Sequence, residues 1–257
     1  SDERVDLRDI LSIIVDLAQR GYLKIEERKK KDFYFIKQKN FKNDKKLLSF
    51  EKEFLSGLFS DLKEVRLKDK KLYITISKVK KMIYDQLVID NFFPKNPEKI
   101  RNFYILITFL AIITINIPLA IISIIFGRIM PRKTLDGVNA ANISKSLKNF
   151  LGSQERQLEY QARNQMFFEK LLPYAVAFGV EKVWANRFKN IEMKEPDWYS
   201  GQSSFNSTNL IYGLNSSFKS VTVSATPTRS SSGFSSGTSS GGGFSGGGGG
   251  GGGGSSW

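Results

Sequence analysis

One uninterrupted apolar stretch, from Phe103 to Phe126, limits what this chain can fold into more than any other feature. It contains no charged residue, although 25% of the whole chain is charged, and Arg101 and Arg128 flank it. A helix of about 24 residues reaches ~36 Å, which exceeds the ~30 Å hydrocarbon core of a bilayer. We therefore predict a membrane-embedded segment over residues 98–129, with these four residues at its boundary. The alternative is a buried helix of a soluble domain, which seldom holds about 18 or more uncharged apolar residues.

The middle of this stretch contains two residues, Asn116 and Pro118, that interrupt an ideal membrane helix. They allow two arrangements: a single, proline-kinked span, or a short helical hairpin whose arms of about 12 residues each reach only ~18 Å. The single span is our preferred interpretation. The positive-inside rule does not decide between them, because basic residues lie on both sides of the stretch. These are Lys95, Lys99 and Arg101 before it, and Arg128, Arg132 and Lys133 after it.

Charge and the absence of two residue types narrow the possible functions. The chain carries 39 Lys and Arg residues against 25 Asp and Glu residues, a formal net charge of +14. Basic parts on both sides of an apolar segment suit anionic lipid headgroups, and they suit nucleic acid equally well. The chain has no Cys and no His, which excludes disulfides, thiol nucleophiles, imidazole bases and metal sites built from these ligands. We expect no cofactor, no metal and no catalytic residue.

Residues 1–97 form a basic module with the pattern of a winged helix. Residues 5–20 have helical apolar spacing, and two strand-like runs follow at Tyr22–Glu27 and Asp32–Lys37. The basic turn between the runs makes its four residues candidates for contact with a polyanion: Arg28, Lys29, Lys30 and Lys31. Two further predicted helices complete the module, Leu47–Phe59 and Ile76–Ile89, with a short strand near Val65 between them.

Residues 130–199 return to helical patterning, with helices predicted over Asn139–Leu151, Gln154–Leu172 and Val180–Phe188. We expect seven residues to hold this module together, with Trp198 and Tyr199 against the helical core and Asp197 bonding nearby backbone amides. They are Pro173, Tyr174, Trp184, Pro196, Asp197, Trp198 and Tyr199. Residues 200–257 are a low-complexity Ser/Gly-rich segment, predicted to be a flexible tail. The predicted fold class is mainly α with a small β-hairpin, a membrane helix and a disordered glycine-rich tail.

Several motifs resemble one family of membrane proteins. The family is Domain of Unknown Function family 2207, a group of bacterial and archaeal predicted membrane proteins, and the similarity is to its C-terminal portion. The motifs are Leu17–Glu27, Phe92–Arg101, Met130–Thr134 followed by Gly137, Phe168–Trp184, Pro196–Tyr199 and the Ser/Gly tail that ends in Trp257.

The resemblance implies localisation in the prokaryotic cell membrane, and it implies a signal sequence, an extracytoplasmic β-rich domain and an earlier membrane helix upstream. It supplies no activity and no catalytic residues. We expect a non-enzymatic interaction or assembly module that contacts the bilayer and other membrane or cytoplasmic proteins. A membrane-tethered nucleic-acid-binding protein is the alternative. A membrane hydrolase is the third, although no carboxylate spacing indicates one.

Overall fold

The computed structural model describes residues 4–153, 165–188, 194–201, 210, 212–213 and 216–217 of the 257-residue chain. The first part of the helix predicted from Gln154 lies outside these residues. Nearly all of the predicted Ser/Gly tail, residues 200–257, lies outside them as well.

The described residues are mainly helical and contain one small sheet, as the composition and periodicity predicted. The helices are α1 (Leu7–Gln19), α2 (Ser49–Phe59), α3 (Tyr73–Ile89), α4 (Pro97–Ile113), α5 (Ile117–Ile129), α6 (Leu135–Gly152), α7 (Gln165–Phe178) and α8 (Glu181–Arg187). A single 3-10 turn covers Leu67–Asp69. The strands are β1 (Leu23–Lys29), β2 (Asp32–Lys37), β3 (Glu64–Arg66) and β4 (Tyr199–Ser200).

The sheet is mixed, with the strand order β3-β2-β1-β4. β1 and β2 form the predicted antiparallel hairpin, and β3 adds to β2 in antiparallel orientation. β4 pairs in parallel with β1, with Tyr199 opposite Ile25. A strand from near the end of the described chain therefore completes a sheet that begins near its start.

A partly buried ion pair fastens β2 to β3. Asp32 is buried, and its carboxylate accepts hydrogen bonds from Arg66 Nε at 2.9 Å and Arg66 Nη2 at 3.0 Å. These hydrogen bonds hold the pKa of Asp32 below its ordinary value, against the opposing effect of burial. The charged carboxylate is therefore the form that this part of the fold favours.

Replacing Asp32 by Asn should change how stability depends on pH. A carboxyl group whose pKa is lowered in the folded state contributes stability above its unfolded pKa, about 4, and that stability is lost as the pH falls further. We expect Asp32→Asn to be less stable than wild type at neutral pH, and the difference to shrink below about pH 4. Denaturant unfolding at several pH values measures this difference. The exposed Asp61→Asn serves as control, and a wild-type advantage that stayed constant down to pH 2 would contradict the assignment.

Helix α1 lies inside the fold. Asp6 caps it, accepting a hydrogen bond from the Arg8 amide at 2.7 Å, and Gly21 follows its end with a φ of +75°. The helix packs against both β1 and α7, and Arg8 is the one exposed residue between Leu7 and Gln19. A winged-helix recognition helix must present a free face to the groove of DNA. The winged-helix part of the prediction is therefore not confirmed.

One hydrophobic core joins the first and the last parts of the described chain. It contains Ile14 of α1, Phe33 of β2 and Phe54 of α2 together with Phe168 of α7 and Trp184 of α8. The Gln19 side chain also donates a hydrogen bond to the Glu169 carbonyl at 2.7 Å. The described parts of residues 1–97 and of residues 130–199, predicted above to be two modules, therefore share one core.

The apolar stretch forms two helices. α4 and α5 are separated at Thr114–Asn116, and they run antiparallel, because Tyr104 near the start of α4 stacks on Phe126 near the end of α5. Of the two arrangements considered above, the structure has the hairpin, and the preferred single kinked span is not confirmed. Among the described residues, no helix is both long enough and apolar enough to span a membrane.

The start of α6 is docked on the end of α3. Thr134 caps α6 by accepting a hydrogen bond from the Gly137 amide at 3.0 Å. The Thr134 amide donates to the Phe92 carbonyl at 3.1 Å, and its hydroxyl donates to the Asn91 carbonyl. A Cβ at position 137 would lie 2.1 Å from the Phe92 carbonyl oxygen. Only glycine lets these two helix ends meet.

We expect Gly137→Ala to lower the free energy of unfolding by about 1–3 kcal/mol, because backbone must move to accept the methyl group. Gly152→Ala at the other end of α6 is the matched control. There the added Cβ would make an ordinary 3.6 Å contact with Val180, so the replacement should be neutral or stabilising by up to about 1 kcal/mol. Equal denaturant midpoints for the two variants would contradict the proposed docking.

Candidate membrane-interface site

The α4–α5 hairpin exposes a large, continuous apolar surface. Water-soluble proteins rarely expose apolar patches larger than a few hundred Å² without a functional reason. The exposed side chains are those of Phe103, Ile105, Leu106, Phe109, Leu110, Ile112, Ile113, Ile115, Ile117, Leu119, Ile121, Ile122, Ile124, Ile125, Phe126 and Ile129. This surface makes the hairpin the candidate site for contact with lipid or with other protein.

Small residues lie where the two helices touch. Ala111 of α4 and Ala120 and Ser123 of α5 are buried between the helices, whereas their large neighbours point outward. Gly127 continues this face, and a Cβ there would lie 2.9 Å from Tyr104 Cβ. Close approach through small residues is typical of helix pairs in membranes, where burial of large apolar side chains brings no gain over contact with lipid.

The turn at the hairpin tip satisfies its own backbone. The Ile115 amide donates to the Ile112 carbonyl at 3.0 Å, and the Asn116 amide donates to the Ala111 carbonyl at 2.8 Å, which is the hydrogen-bond pattern of a Schellman motif. The Asn116 side chain then caps α5 by accepting from the Leu119 amide at 3.2 Å. Every N–H from residue 114 to 120 is donated within the hairpin, and Pro118 has none. Such a turn can enter hydrocarbon without an unpaired backbone donor.

The residue at the left-handed position of this turn is unusual. Ile115 has a φ of +57° and is 81% exposed. A β-branched residue is strained in this conformation, and turns in water use Gly or Asn there. An exposed isoleucine at this point is therefore unfavourable in water on two grounds, and contact of the tip with an apolar phase would remove the cost of exposing its side chain.

Polar side chains fix the base of the hairpin to the rest of the fold. Asn96 caps α4 by accepting from the Glu98 amide at 2.9 Å, and its side-chain amide donates to Asp85 of α3 at 2.8 Å. The buried Tyr84 hydroxyl accepts hydrogen bonds from Arg101 Nη2 at 3.0 Å and from the Val5 amide at 2.9 Å. The segment before α1, helix α3 and helix α4 thus meet at one tyrosine, which ties the base of the hairpin to the start of the described chain.

The four residues predicted at the membrane boundary lie together at this base. Arg101 is half-buried against Tyr84, while Phe103, Phe126 and Arg128 are exposed. Tyr104 links the two helices here, with an edge contact to Phe103 at 5.7 Å and a stacked contact to Phe126 at 6.4 Å between ring centroids. A single straight helix would separate Phe103 and Phe126 by ~35 Å. The hairpin instead brings the two ends of the stretch to the same end of the helix pair. We call Arg101, Phe103, Tyr104, Phe126 and Arg128 at this end the basic and aromatic collar.

The basic turn between β1 and β2 is only partly available to a polyanion. Arg28 forms ion pairs with Glu64 at 2.7 Å and Glu26 at 3.0 Å, and its guanidinium lies 4.2 Å from the Tyr34 ring centroid. The hydrogen bonds to Glu64 and Glu26 raise the pKa of Arg28 above its ordinary value. Its charge is thus compensated within the sheet.

The other three basic residues of the turn, Lys29, Lys30 and Lys31, are exposed. Among the described residues they form no ion pairs, and Lys31 adopts a left-handed φ of +62° at the turn. The Lys31 carbonyl accepts a hydrogen bond from Ser217 Oγ at 3.1 Å. The lysine side chains therefore supply the accessible positive charge of this turn.

The residues predicted to hold the helical module lie at its centre and at β4. Pro173 is buried within α7, Tyr174 on the same helix is exposed, and Trp184 donates its indole N–H to the Phe168 carbonyl at 3.3 Å. Trp184 packs against the rings of three phenylalanines, Phe150, Phe167 and Phe188, with centroid distances from 5.0 to 6.5 Å. Phe188 in turn packs on the Phe168 ring at 4.9 Å.

The Pro196–Tyr199 segment links α7 to the sheet. Pro196, Trp198 and Tyr199 are buried, and the Trp198 indole N–H donates to Glu169 of α7 at 2.9 Å. The Tyr199 hydroxyl donates to Glu27 of β1 at 3.0 Å, and burial followed by the charge of Glu27 raises the pKa of this tyrosine.

Asp197 is exposed, and the turn around it is closed by the Tyr199 amide donating to the Pro196 carbonyl at 3.0 Å. The backbone hydrogen bonds predicted for the Asp197 side chain are not seen among the described residues. Proline and the two aromatic residues therefore account for the ordered part of this segment. Within the described ranges, no group of three or more acidic residues is placed to hold a metal ion.

Sequence reasoning missed two residues that organise the site, Tyr84 and Asn96. A tyrosine on a helix and an asparagine before a proline are common, and their roles depend on partners 79 and 11 residues away, respectively. The Asn96-Pro97 pair did carry a helix-start signal, since proline is favoured at the first helical position. The hydrogen bond to Asp85 carried no local signal.

Comparison with known families identifies the chain. The model of the C-terminal domain of the DUF2207 predicted membrane proteins matches residues 1–188, a range that contains the hairpin and its base. The Pro196–Tyr199 motif and the tail lie beyond the matched residues. No curated protein and no solved structure matches the chain. Because the match covers most of the 257 residues, the chain belongs to the DUF2207 family of predicted membrane proteins.

Proposed function

We propose that this protein is a non-enzymatic interaction or assembly module, anchored in the prokaryotic cell membrane by the α4–α5 hairpin. The observation that carries the proposal is the exposed apolar surface of the hairpin, which ends at a basic and aromatic collar. Apolar side chains favour hydrocarbon, while Tyr, Lys and Arg favour the interface at its edge. In the hairpin the apolar side chains extend to the tip, and Tyr104, Arg101 and Arg128 lie at the base, which is the order that insertion from one side requires.

The dimensions of the hairpin support insertion from one side. α4 has 17 residues and α5 has 13, so the helices are ~25 Å and ~20 Å long. The apolar part of α4, from Phe103 to Ile113, is ~16 Å long. The tip then reaches about the middle of a ~30 Å hydrocarbon core. Both flanking segments stay on the same side, which agrees with their shared core.

An exposed face of α6 supports the interaction role. Leu135, Val138 and Ile143 are exposed on this helix, which follows the hairpin directly. Their spacing places them on one side of the helix. Such a face beside the collar suits contact with another membrane-associated protein or with the bilayer surface.

A disulfide test separates the hairpin from a single span in the membrane. The natural chain has no Cys, so the double variant Tyr104→Cys/Gly127→Cys carries the only thiols. In the hairpin the two Cβ positions lie about 2.9 Å apart, and a small widening gives the ~3.8 Å of a disulfide. In one continuous helix they would lie ~35 Å apart. We expect rapid oxidative cross-linking in native membranes.

Tyr104→Cys/Ile115→Cys is the matched control, because both thiols then lie on α4 and its turn, ~17 Å apart. Reporters at the two chain ends provide a second readout, and we expect both on the same side of the membrane. Reporters on opposite sides, together with no cross-link, would refute the proposed anchoring. Release of the protein by high salt alone would refute it as well.

Nucleic-acid binding is a second candidate, supported by the exposure of Lys29, Lys30 and Lys31. Because α1 is packed on two sides, such binding would rest on phosphate contacts and would fall steeply with salt. Titration of the full chain in detergent with duplex DNA at low and high salt tests it. A Lys29/Lys30/Lys31→Gln variant should lose the binding if this candidate is correct, and no binding at low salt would eliminate the candidate.

A further inference from the structure

A large cavity opens at the base of the hairpin. Its volume is about 890 Å³, in the upper part of the range for small-molecule sites. It lies between the end of α3, the α3–α4 connection, the start of α4 and the residues after α5. Its apolar wall is formed by Val88, Ile89, Ile100, Phe103, Tyr104 and Met130.

The polar rim of the cavity is positively charged. Lys95, Lys99 and Arg132 line it and are exposed, and among the described residues none of the three forms an ion pair. Asp85 is the one carboxylate in the lining, and its Oδ1 already accepts a hydrogen bond from Asn96. Three positively charged side chains therefore line the cavity, against one carboxylate that already accepts a hydrogen bond.

The order of the lining groups matches an amphiphile. The cations come from the segments outside the apolar stretch, whereas Phe103 and Tyr104 are the first residues within it. In an inserted hairpin this places the charged rim at the level of lipid phosphates, and the part of the wall formed by Phe103 and Tyr104 at the start of the acyl chains. A soluble anion would use the rim alone and would leave the wall exposed.

We propose that this cavity binds one anionic phospholipid, with its phosphate between Lys95, Lys99 and Arg132 and an acyl chain along Ile100 and Phe103. The proposal rests on the proposed function, because insertion of the hairpin brings the cavity to the lipid. Beyond membrane anchoring, the proposal states that one lipid binds at a defined site, where the basic residues bind the phosphate and the apolar wall contacts the acyl chain.

Native mass spectrometry of the full chain in a neutral detergent tests the site, with phosphatidylglycerol and phosphatidylcholine as probes. We expect one phosphatidylglycerol to bind in preference to phosphatidylcholine. Lys95/Lys99/Arg132→Gln should weaken phosphatidylglycerol binding about fivefold for each charge removed, or about 100-fold in total. The matched control Lys42/Lys45/Lys63→Gln removes the same charge from exposed residues outside the cavity and should change binding less than threefold.

A substitution in the apolar wall of the cavity distinguishes a defined lipid site from general attraction of anionic lipids to the basic residues. Met130→Trp fills part of the cavity and keeps all three cations, so we expect it to weaken phosphatidylglycerol binding at least tenfold. Unchanged binding by Met130→Trp, or an equal loss in the control triple variant, would show a non-specific basic collar and overturn the proposal. Competition by glycerophosphate as effective as phosphatidylglycerol would also overturn it.

Flotation on vesicles of pure phosphatidylcholine distinguishes failure of the site from failure of the anchor. If the hairpin anchors the chain, wild type and all three variants float with these neutral vesicles. Flotation together with no preference for phosphatidylglycerol overturns the lipid site alone. Loss of flotation by the wild type overturns the proposed function, and the site with it.

Discussion

Ile115→Asp is expected to weaken association of the chain with neutral bilayers by about 100-fold. An aspartate near the middle of a membrane helix costs about 3 kcal/mol relative to water, and the favourable isoleucine is lost as well. The change should not damage the turn, because aspartate tolerates the left-handed conformation at φ +57° better than a β-branched residue does. Vesicle flotation at several lipid concentrations gives the partition coefficient.

Two controls isolate the effect of charge at the tip. Ile115→Gly keeps the turn and removes backbone strain, so it should change partitioning by less than about threefold. Leu62→Asp places the same charge at another exposed apolar residue outside the hairpin and should leave partitioning unchanged. Wild-type flotation of Ile115→Asp would mean that the tip does not enter hydrocarbon.

Trp184→Ala is expected to lower the free energy of unfolding by about 3–5 kcal/mol. The side chain is 1% exposed and lies among aromatic rings, so its removal loses both transfer free energy and packing. It also leaves the Phe168 carbonyl without the indole donor. Because the core joins α1 to α7 and α8, we expect the first and last parts of the described chain to loosen together.

Guanidinium unfolding in detergent, followed by aromatic circular dichroism, measures this loss, and amide hydrogen exchange reports where it occurs. Tyr174→Ala is the matched control, an aromatic truncation in the same helical module at a residue that is 51% exposed, and it should cost less than about 1 kcal/mol. If Trp184→Ala increased exchange in α7 and α8 but left α1 and β1 unchanged, the shared core would be incorrect.

Local sequence patterns were sufficient for most of the individual elements. The 3.6-residue apolar spacing, with Asp6 and Gly21 at the ends, predicted α1 to within two residues of its bounds. The alternation in β1 and β2 predicted the hairpin, since a short turn can join only neighbouring strands. These elements depend on interactions between residues close in the chain, which is why their signals are local.

The candidate site was only partly predictable. Flanking charge marked Arg101 and Arg128 as boundary residues, and it also identified Lys95, Lys99 and Arg132 as basic. Lys95, Lys99 and Arg132 line one cavity only because the chain turns back at Ile115. The pattern of charge in the sequence does not predict that turn. The sequence also carried no sign that Glu64 compensates the charge of Arg28, because the two residues are 36 positions apart.

The sequence alone determined that an uncharged apolar stretch of about 24 residues, broken at Asn116 and Pro118, lies between two basic parts of a DUF2207 chain. Tertiary structure decided that the break is a turn. A kink and a turn use the same residues, and the choice depends on whether α4 and α5 can pack closely through Ala111, Ala120 and Gly127. Tertiary structure also decided that the two basic parts share one core, because contacts between residues so far apart in the chain form only once the chain has returned on itself.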